Sequence, residues 1–181
     1  MTGNTYIYIL LSDTGTLFTR SIKVYTKAPY NHASISFAED LSDMYSFGRL
    51  QPRNPLSGGF VKEDVWTGTY SKYPKTTCII YRLEVTEREV KKMKRILEVF
   101  IKNKEKFSYN LLGVLGVSVE VPIESRKAYF CSQFVWEILQ RSGIRLWDKI
   151  PALVTPDDFR KSDRLEPIYE GLLLDYPPRK K

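Results

Sequence analysis

The sequence predicts a single domain that mixes strands and helices, and three observations support this. Runs rich in β-branched and aromatic residues predict strands at 6–11, 32–37 and 76–85. Amphipathic segments after Thr86 and after Cys131 predict helices. A chain of 181 residues is long enough for one domain with a hydrophobic core and too short for two ordinary domains.

The composition is that of a folded, basic protein. Hydrophobic residues make up 43% of the chain and aromatic residues 13%, far from the composition of disordered proteins. The net charge of +7 permits an anionic partner but selects none. The densest basic groups fall on the helix after Thr86, where a solvated helix face explains them. Because nucleotide-binding fingerprints and nucleic-acid recognition motifs are both lacking, we expect no cofactor and no nucleic-acid partner.

The N-terminal segment predicts a central strand in an intracellular protein. Residues 6–11 are followed by the turn sequence Ser-Asp-Thr-Gly, and 17–25 favours a short helix. The strand is too short for a signal-peptide core or a membrane span, and no positive run precedes it. Two cysteines do not make a disulfide framework in a chain of this size. We therefore expect a reducing, cytoplasmic location and no insertion into a membrane.

The only histidine, His32, lies on a predicted strand. Because side chains alternate along a strand, His32, Ser34 and Ser36 share a polar side, and the apolar residues between them share the other. Residues 44–48 are expected to return as an antiparallel partner. The prolines and glycines of 51–59 predict a surface loop.

Further elements follow towards the C-terminus. A short strand is expected at 60–66, and Cys78 is expected in the core, where a free cysteine behaves as a small apolar residue. Residues 111–121 fit either a helix or a strand. The domain is expected to span 1–181, with a flexible tail from about Tyr176.

Capping signals define three helices. The helix after Thr86 opens with the capping box Thr-Glu-Arg-Glu and is expected to end near Lys106. Its buried stripe is expected to comprise Val90, Met93, Leu97, Phe100 and Ile101. The helix that begins at Cys131 is expected to stop at the Ser-Gly pair 142–143. The sequence Thr-Pro-Asp-Asp at 155–158 predicts a third helix start.

Cys131 stands where a short extended run turns into a helix, a typical position for a nucleophile. Unpaired backbone N–H groups in the first turn of a helix favour the thiolate over the thiol. His32 supplies a base, and one such cysteine with one histidine is the minimal pattern of a thiol enzyme. One histidine and two distant cysteines give no metal-ligand spacing, so we expect no metal.

The order of these features resembles the circularly permuted branch of the NlpC-type papain-like superfamily, which includes YiiX-like and YebB-like proteins and relatives of lecithin:retinol acyltransferase. The likeness rests on Asn-His-Ala-Ser-Ile at 31–35 and Tyr-Phe-Cys-Ser-Gln-Phe-Val at 129–135. Weaker similarities are Phe-Ser-Tyr-Asn at 107–110 and Thr-Pro-Asp-Asp at 155–158. The likeness covers 32–159, and the histidine precedes the cysteine, which is the permuted order.

This resemblance implies an α+β fold, with a small antiparallel sheet or partial barrel against which a nucleophile helix packs. It implies a thiol hydrolase or acyltransferase acting on amide or ester bonds of peptides, peptidoglycan fragments or lipids. Cys131 matches the nucleophile and His32 the base. We expect a thioester that water or another acceptor resolves, with the backbone N–H of Cys131 as the first oxyanion donor. The loop 51–59 is expected to cover the substrate cleft.

The third catalytic position stays open. Relatives carry Glu or His on the strand after the histidine strand, whereas this chain offers Ser46 there. Ser46 is the positional match, and Glu63 or Asp64 from the next segment is the alternative. A serine orients an imidazole without stabilising its positive charge. The alternative function is a catalytically silent binding module on the same scaffold, which holds a peptide, lipid or anionic ligand.

Overall fold

A six-stranded antiparallel sheet forms the centre of the protein, whose computed structural model describes residues 4–15, 28–49, 58–109 and 128–176. The strands in chain order are β1 (Thr5–Asp13), β2 (His32–Ser36), β3 (Met44–Arg49), β4 (Gly58–Glu63), β5 (Thr77–Val85), β6 (Ser108–Tyr109), β7 (Ala128–Tyr129) and β8 (Glu166–Leu172). The sheet order is β4-β3-β2-β1-β5-β8, so β1 is a central strand, as predicted. β6 and β7 form a separate parallel pair.

The capping signals correctly predict where two of the described helices begin, α1 (Glu87–Lys102) and α3 (Pro156–Arg160). The other helix within the described residues is α2 (Cys131–Ser142), and single 3₁₀ turns lie at Tyr70–Lys72, Lys104–Lys106, Pro151–Leu153 and Leu173–Asp175. Complete capping boxes at Thr86 and Thr155 open α1 and α3. Gly143, with φ +103°, ends α2 in the left-handed conformation that glycine favours. Sheet and helices together confirm the predicted α+β class.

Both faces of the sheet are buried. On the helix face, side chains such as Ile9 and Ile35 pack beneath α1 and α2. On the opposite face, here called the second face, Leu10 and Ile80 pack against Tyr70 from the segment between β4 and β5. Because the side chains of β2 alternate, His32, Ser34 and Ser36 belong to the second face, as the sequence predicts.

An aromatic cluster on the helix face fixes α2 against the sheet. The ring of Phe47 on β3 lies 5.8 Å from those of Phe60 on β4 and Phe100 on α1, measured between ring centroids. It also lies 5.1 Å from Tyr129 and 5.2 Å from Phe134 of α2. Edge-to-face and tilted packing of this kind adds to the free energy of burial. The start of α2 is therefore held close to β2 and β3.

Two expectations for α1 are wrong. Ile101 is 43% exposed, although it was expected in the buried stripe with Met93, Leu97 and Phe100, which are buried. It follows Phe100 by one residue, and that step turns its side chain about 100° away from the sheet. The helix also ends at Lys102 rather than near Lys106, because Asn103 leaves the helical conformation and a 3₁₀ turn follows.

Parts of the expected loop 51–59 and of the expected flexible tail from Tyr176 are ordered elements of the fold. Gly58 and Gly59 belong to β4 rather than to a loop, because they pair with Arg49 and Gly48 of β3. β4 ends at Glu63, before the expected boundary at residue 66. Tyr176 is 8% exposed, and its hydroxyl donates to the carbonyl oxygen of Glu39 at 3.0 Å, so the folded chain reaches at least this residue.

Several other expectations lie outside the described residues, namely those for 17–25, 51–57, 110–127 and 177–181. Among the helices that the structure describes, none combines the length and the apolar character needed to span a membrane.

Candidate active site

The sheet opens beside His32, at the end of β2 where α2 begins. β2 pairs with β1 along its whole length, and His32 lies opposite Ser12. With β3 it pairs at Ile35–Tyr45 and Ser36–Met44, and no further pair forms towards His32. Helix α2 contacts both strands. The opening lets the first turn of α2 approach the histidine.

Cys131 is the first residue of α2 and lies beside the start of β2. Its Sγ is 4.0 Å from the carbonyl oxygen of Asn31, the residue before His32. The N-cap residue of α2, Phe130, offers no side-chain acceptor to the backbone N–H groups of the first turn. The sulfur is well covered, since Cys131 is 4% exposed, whereas the side chain of His32 keeps 21% of its exposure. The imidazole is therefore the more accessible member of the pair.

Glu63, at the end of β4, is the carboxylate that contacts His32. Its Oε1 lies 2.8 Å from His32 Nε2, and the Glu63 side chain is 12% exposed. The two residues stand on either side of β3, and neighbouring strands are about 4.8 Å apart, so their side chains must reach across it. Next to the imidazole, β3 carries Gly48 and the small side chain of Ser46. A Cβ placed on Gly48 would lie 3.6 Å from Cε1 of His32.

The second oxygen of Glu63 is also hydrogen bonded. Ser34, two residues beyond His32 on the same side of β2, donates its hydroxyl to Glu63 Oε2. Tyr70, which is 3% exposed, donates to the same oxygen at 3.4 Å. Both oxygens of this buried carboxylate therefore have donors, as its burial requires.

These contacts shift the pKa values of the buried pair. Burial alone would lower the pKa of His32, but the Glu63 charge and hydrogen bonds with Cys131 and Glu63 raise it to about 10. Burial would raise the pKa of Glu63, yet the His32 charge and hydrogen bonds from His32 and Ser34 lower it. At neutral pH the pair is therefore an imidazolium and a carboxylate.

The predicted candidates for the third position differ in what they contact. Ser46 is fully buried, and its Oγ makes no regular hydrogen bond with His32 or any other described residue. Asp64 caps the turn after β4, where it accepts the backbone N–H groups of Trp66 at 2.7 Å and Thr67 at 3.0 Å. Glu63 is the candidate that the structure brings to the histidine.

Two further residues differ in whether the sequence predicted their place in the structure. Cys78 is fully buried in β5, where burial and the charge of Glu170 raise the pKa of its thiol to about 12, so it is a core residue as predicted. Tyr70 was not predicted, since nothing local in the sequence connects it with His32. Within the described ranges, no group of three or more His, Cys, Asp or Glu side chains is arranged to hold a metal ion.

The chain matches no family model and no curated protein in comparisons with known proteins. The geometry of Cys131, His32 and Glu63 is therefore the basis for assigning a function.

Proposed function

We propose that the protein is a permuted papain-like cysteine hydrolase or acyltransferase, with Cys131 as nucleophile, His32 as base and Glu63 as the residue that orients and charges the base. One observation carries this proposal. The single histidine of the chain is hydrogen bonded through Nε2 to the carboxylate of Glu63, and the cysteine that begins α2 lies beside it, with Sγ 4.0 Å from the carbonyl oxygen of the preceding residue, Asn31. A nucleophile, a base and a group that orients the base are the parts that thiol catalysis needs.

The chemistry follows from the ring atoms. Glu63 accepts the Nε2 proton of His32, and the second proton of the imidazolium, on Nδ1, is the one that the Cys131 thiol has given up. The resulting thiolate attacks a substrate carbonyl and forms a C–S bond, and backbone N–H groups in the first turn of α2 stabilise the oxyanion. When the intermediate collapses, the leaving amine or alcohol takes the proton from His32 and a thioester remains.

The second half of the reaction returns the enzyme to its starting state. His32 removes a proton from water or another acceptor, which attacks the thioester carbonyl. The C–S bond then breaks, and the acid, or the acylated acceptor, leaves Cys131 as a thiolate beside the imidazolium. With water as acceptor the protein is an amidase or peptidase. Peptides, peptidoglycan fragments and lipids are the proposed substrates, and two free cysteines fit a reducing compartment such as the cytoplasm.

A catalytically silent binding module is the second candidate, and one observation favours it. Cys131 is 4% exposed, so the structure as it stands offers a substrate carbonyl little access to the sulfur. In this alternative the scaffold and the buried pair are kept, and a peptide, lipid or anionic ligand is held without turnover.

Alkylation with iodoacetamide at pH 6, followed by intact mass, separates the two candidates. An ordinary thiol is only about 0.3% ionised at that pH. We expect one adduct on the native protein, none on Cys131→Ser, and at least about tenfold slower labelling of His32→Ala. Cys78→Ser is the matched control and should label at the wild-type rate, because Cys78 is buried. Equal, slow labelling of wild type and His32→Ala would favour the binding module.

Trapping with activated esters extends this test to the reaction itself. We expect a mass increase equal to the acyl group on wild type and no increase on Cys131→Ser, since the adduct is a thioester. Varying the acyl group then identifies the preferred substrate.

A further inference from the structure

Beyond Cys131, His32 and Glu63, a chain of hydrogen-bonded side chains lies on the second face. Glu63 Oε1 contacts His32, and its Oε2 accepts the hydroxyls of Ser34 and Tyr70. The Tyr70 oxygen lies 3.3 Å from Oγ of Ser12, which is fully buried. Ser12 stands opposite His32 in the pairing of β1 with β2, so both ends of this chain of contacts lie on the same strand pair.

The chain brings Tyr70 to this place through a defined turn. After β4 ends at Glu63, Asp64 accepts two backbone N–H groups, and Gly68 takes a φ of +78°. A 3₁₀ turn, Tyr70–Lys72, then places the Tyr70 ring in the core of the second face. The segment therefore folds back beneath the carboxylate that precedes it.

Tyr70 serves as a constant donor. Burial, together with the charge of Glu63, raises the pKa of Tyr70 well above 10, so its hydroxyl is protonated at neutral pH, where Glu63 is ionised. Ser34 approaches from β2 and Tyr70 from the turn, so Oε2 is held from two elements. A carboxylate with both oxygens fixed in this way cannot rotate away from the imidazole without leaving a buried hydrogen bond unmade.

We propose that Ser34 and Tyr70 form a hydroxyl clamp, a pair of positioning residues that hold the Glu63 carboxylate against His32, with Ser12 behind Tyr70. This inference rests on the proposed function, because an oriented imidazole matters for turnover only if it serves Cys131. The clamp residues act as positioning residues, since both donate to Glu63 Oε2. Their effect passes through Glu63.

The single histidine makes the clamp directly observable. In protein labelled with ¹⁵N-histidine, the proton on Nε2 that bridges to Glu63 should give one downfield resonance. We expect this resonance to shift upfield or broaden in Tyr70→Phe and in Ser34→Ala. Alkylation of Cys131 at pH 6 should fall about two- to tenfold in each variant, the effect of one lost hydrogen bond, and further in the double variant.

Strands β2 and β3 supply matched controls. Ser36→Ala removes a buried hydroxyl from the same side of β2, but that hydroxyl donates to the carbonyl of Ala38. Tyr45→Phe removes a tyrosine hydroxyl that donates to Asp43 at 2.8 Å. Both controls should keep the resonance and the labelling rate of wild type. Ser12→Ala is the milder variant if Tyr70→Phe does not fold, and it should shift the resonance in the same direction.

The clamp and the proposed function fail in different ways. If the His32 resonance of Tyr70→Phe and Ser34→Ala equals that of the controls, the clamp is wrong, whatever the reactivity of the thiol. If the resonance moves as expected but wild type labels no faster than His32→Ala, the clamp stands as a structural device and the enzyme proposal is wrong.

Discussion

Glu63 and His32 are joined by a hydrogen bond of 2.8 Å although a whole strand, β3, lies between the strands that carry them. Gly48 of β3 leaves room for the imidazole in this bridge, because a Cβ there would lie only 3.6 Å from Cε1 of His32. A long acidic side chain on β4 thus takes the place that a residue on β3 would otherwise fill. The charge of His32 depends on this contact.

Glu63→Gln should lower the pKa of His32 from about 10 towards or below its ordinary 6.5, because the raising effect of the carboxylate is lost and the lowering effect of burial remains. Labelling of Cys131 at pH 6 should fall by at least about tenfold, the equivalent of one pKa unit. The measurement is an NMR titration of the single imidazole, combined with the labelling rate.

Two variants serve as controls for Glu63→Gln. Ser46→Ala should change the His32 pKa far less, because Ser46 carries no charge and makes no regular hydrogen bond. Glu166→Gln removes an exposed carboxylate that pairs with Arg82 on the far edge of the sheet, and should leave His32 unchanged. A larger effect of Ser46→Ala than of Glu63→Gln would restore Ser46 as the third residue.

The free energy of unfolding should depend on pH through the same pair. The folded pKa of His32 is raised from 6.5 to about 10, so its contribution is complete below pH 6.5 and is lost as the pH rises towards 10. The folded pKa of Glu63 is lowered from 4.5, so its contribution is complete above pH 4.5 and is lost as the pH falls through the folded value. Both contributions are therefore present between pH 4.5 and 6.5.

Urea denaturation across pH 5 to 10 tests this dependence. We expect the free energy of unfolding of wild type to decline above pH 6.5, and the decline to be smaller in His32→Gln. The difference between the two proteins isolates His32 from the lysines and tyrosines that titrate in both. Parallel curves would show that the folded protein does not hold the proton on His32.

Gly48 should tolerate a methyl group and no more. A Cβ there would meet Cε1 of His32 at 3.6 Å and Oγ of Ser46 at 3.7 Å, which are ordinary van der Waals distances. In Gly48→Ala, Cys131 should therefore be alkylated at pH 6 at the wild-type rate. Gly48→Leu should push the imidazole from Glu63 and slow labelling by about tenfold or more. Equal rates in the two variants would mean that His32 does not lie over β3.

Much of this fold could be predicted from short sequence patterns, because side-chain alternation and helix capping depend on residues that are close in the chain. The alternation of β2 placed His32, Ser34 and Ser36 on one face, and capping residues gave the starts of α1 and α3. The register of β4 on β3 has no such signal, since it depends on pairing between distant segments. That register decides that Glu63, rather than Ser46, contacts the histidine.

The position of Tyr70 could not be predicted from the sequence either, because it also depends on contacts between distant segments. Its place beneath Glu63 depends on the turn at Asp64, on Gly68 and on burial in the second face. No residue spacing in the sequence predicts the combined effect of these three features. The exposure of Ile101 was missed for a simpler reason. Helical spacing marks a stripe of positions, but only packing against the sheet sets how wide the buried stripe is.

Both thiols of the chain are buried, but their neighbours differ: Cys78 lies in the interior of β5, and Cys131 starts α2 beside the His32 imidazolium. They therefore form a built-in pair of folding probes. A molecule that is modified at Cys131 alone is folded, because the reactivity of this thiol requires α2 and β2 to be in contact. A molecule that is also modified at Cys78 is unfolded, because this thiol is exposed only when the sheet separates. The ratio of the two adducts in one mass spectrum would measure the native fraction of any variant without an added dye or tag.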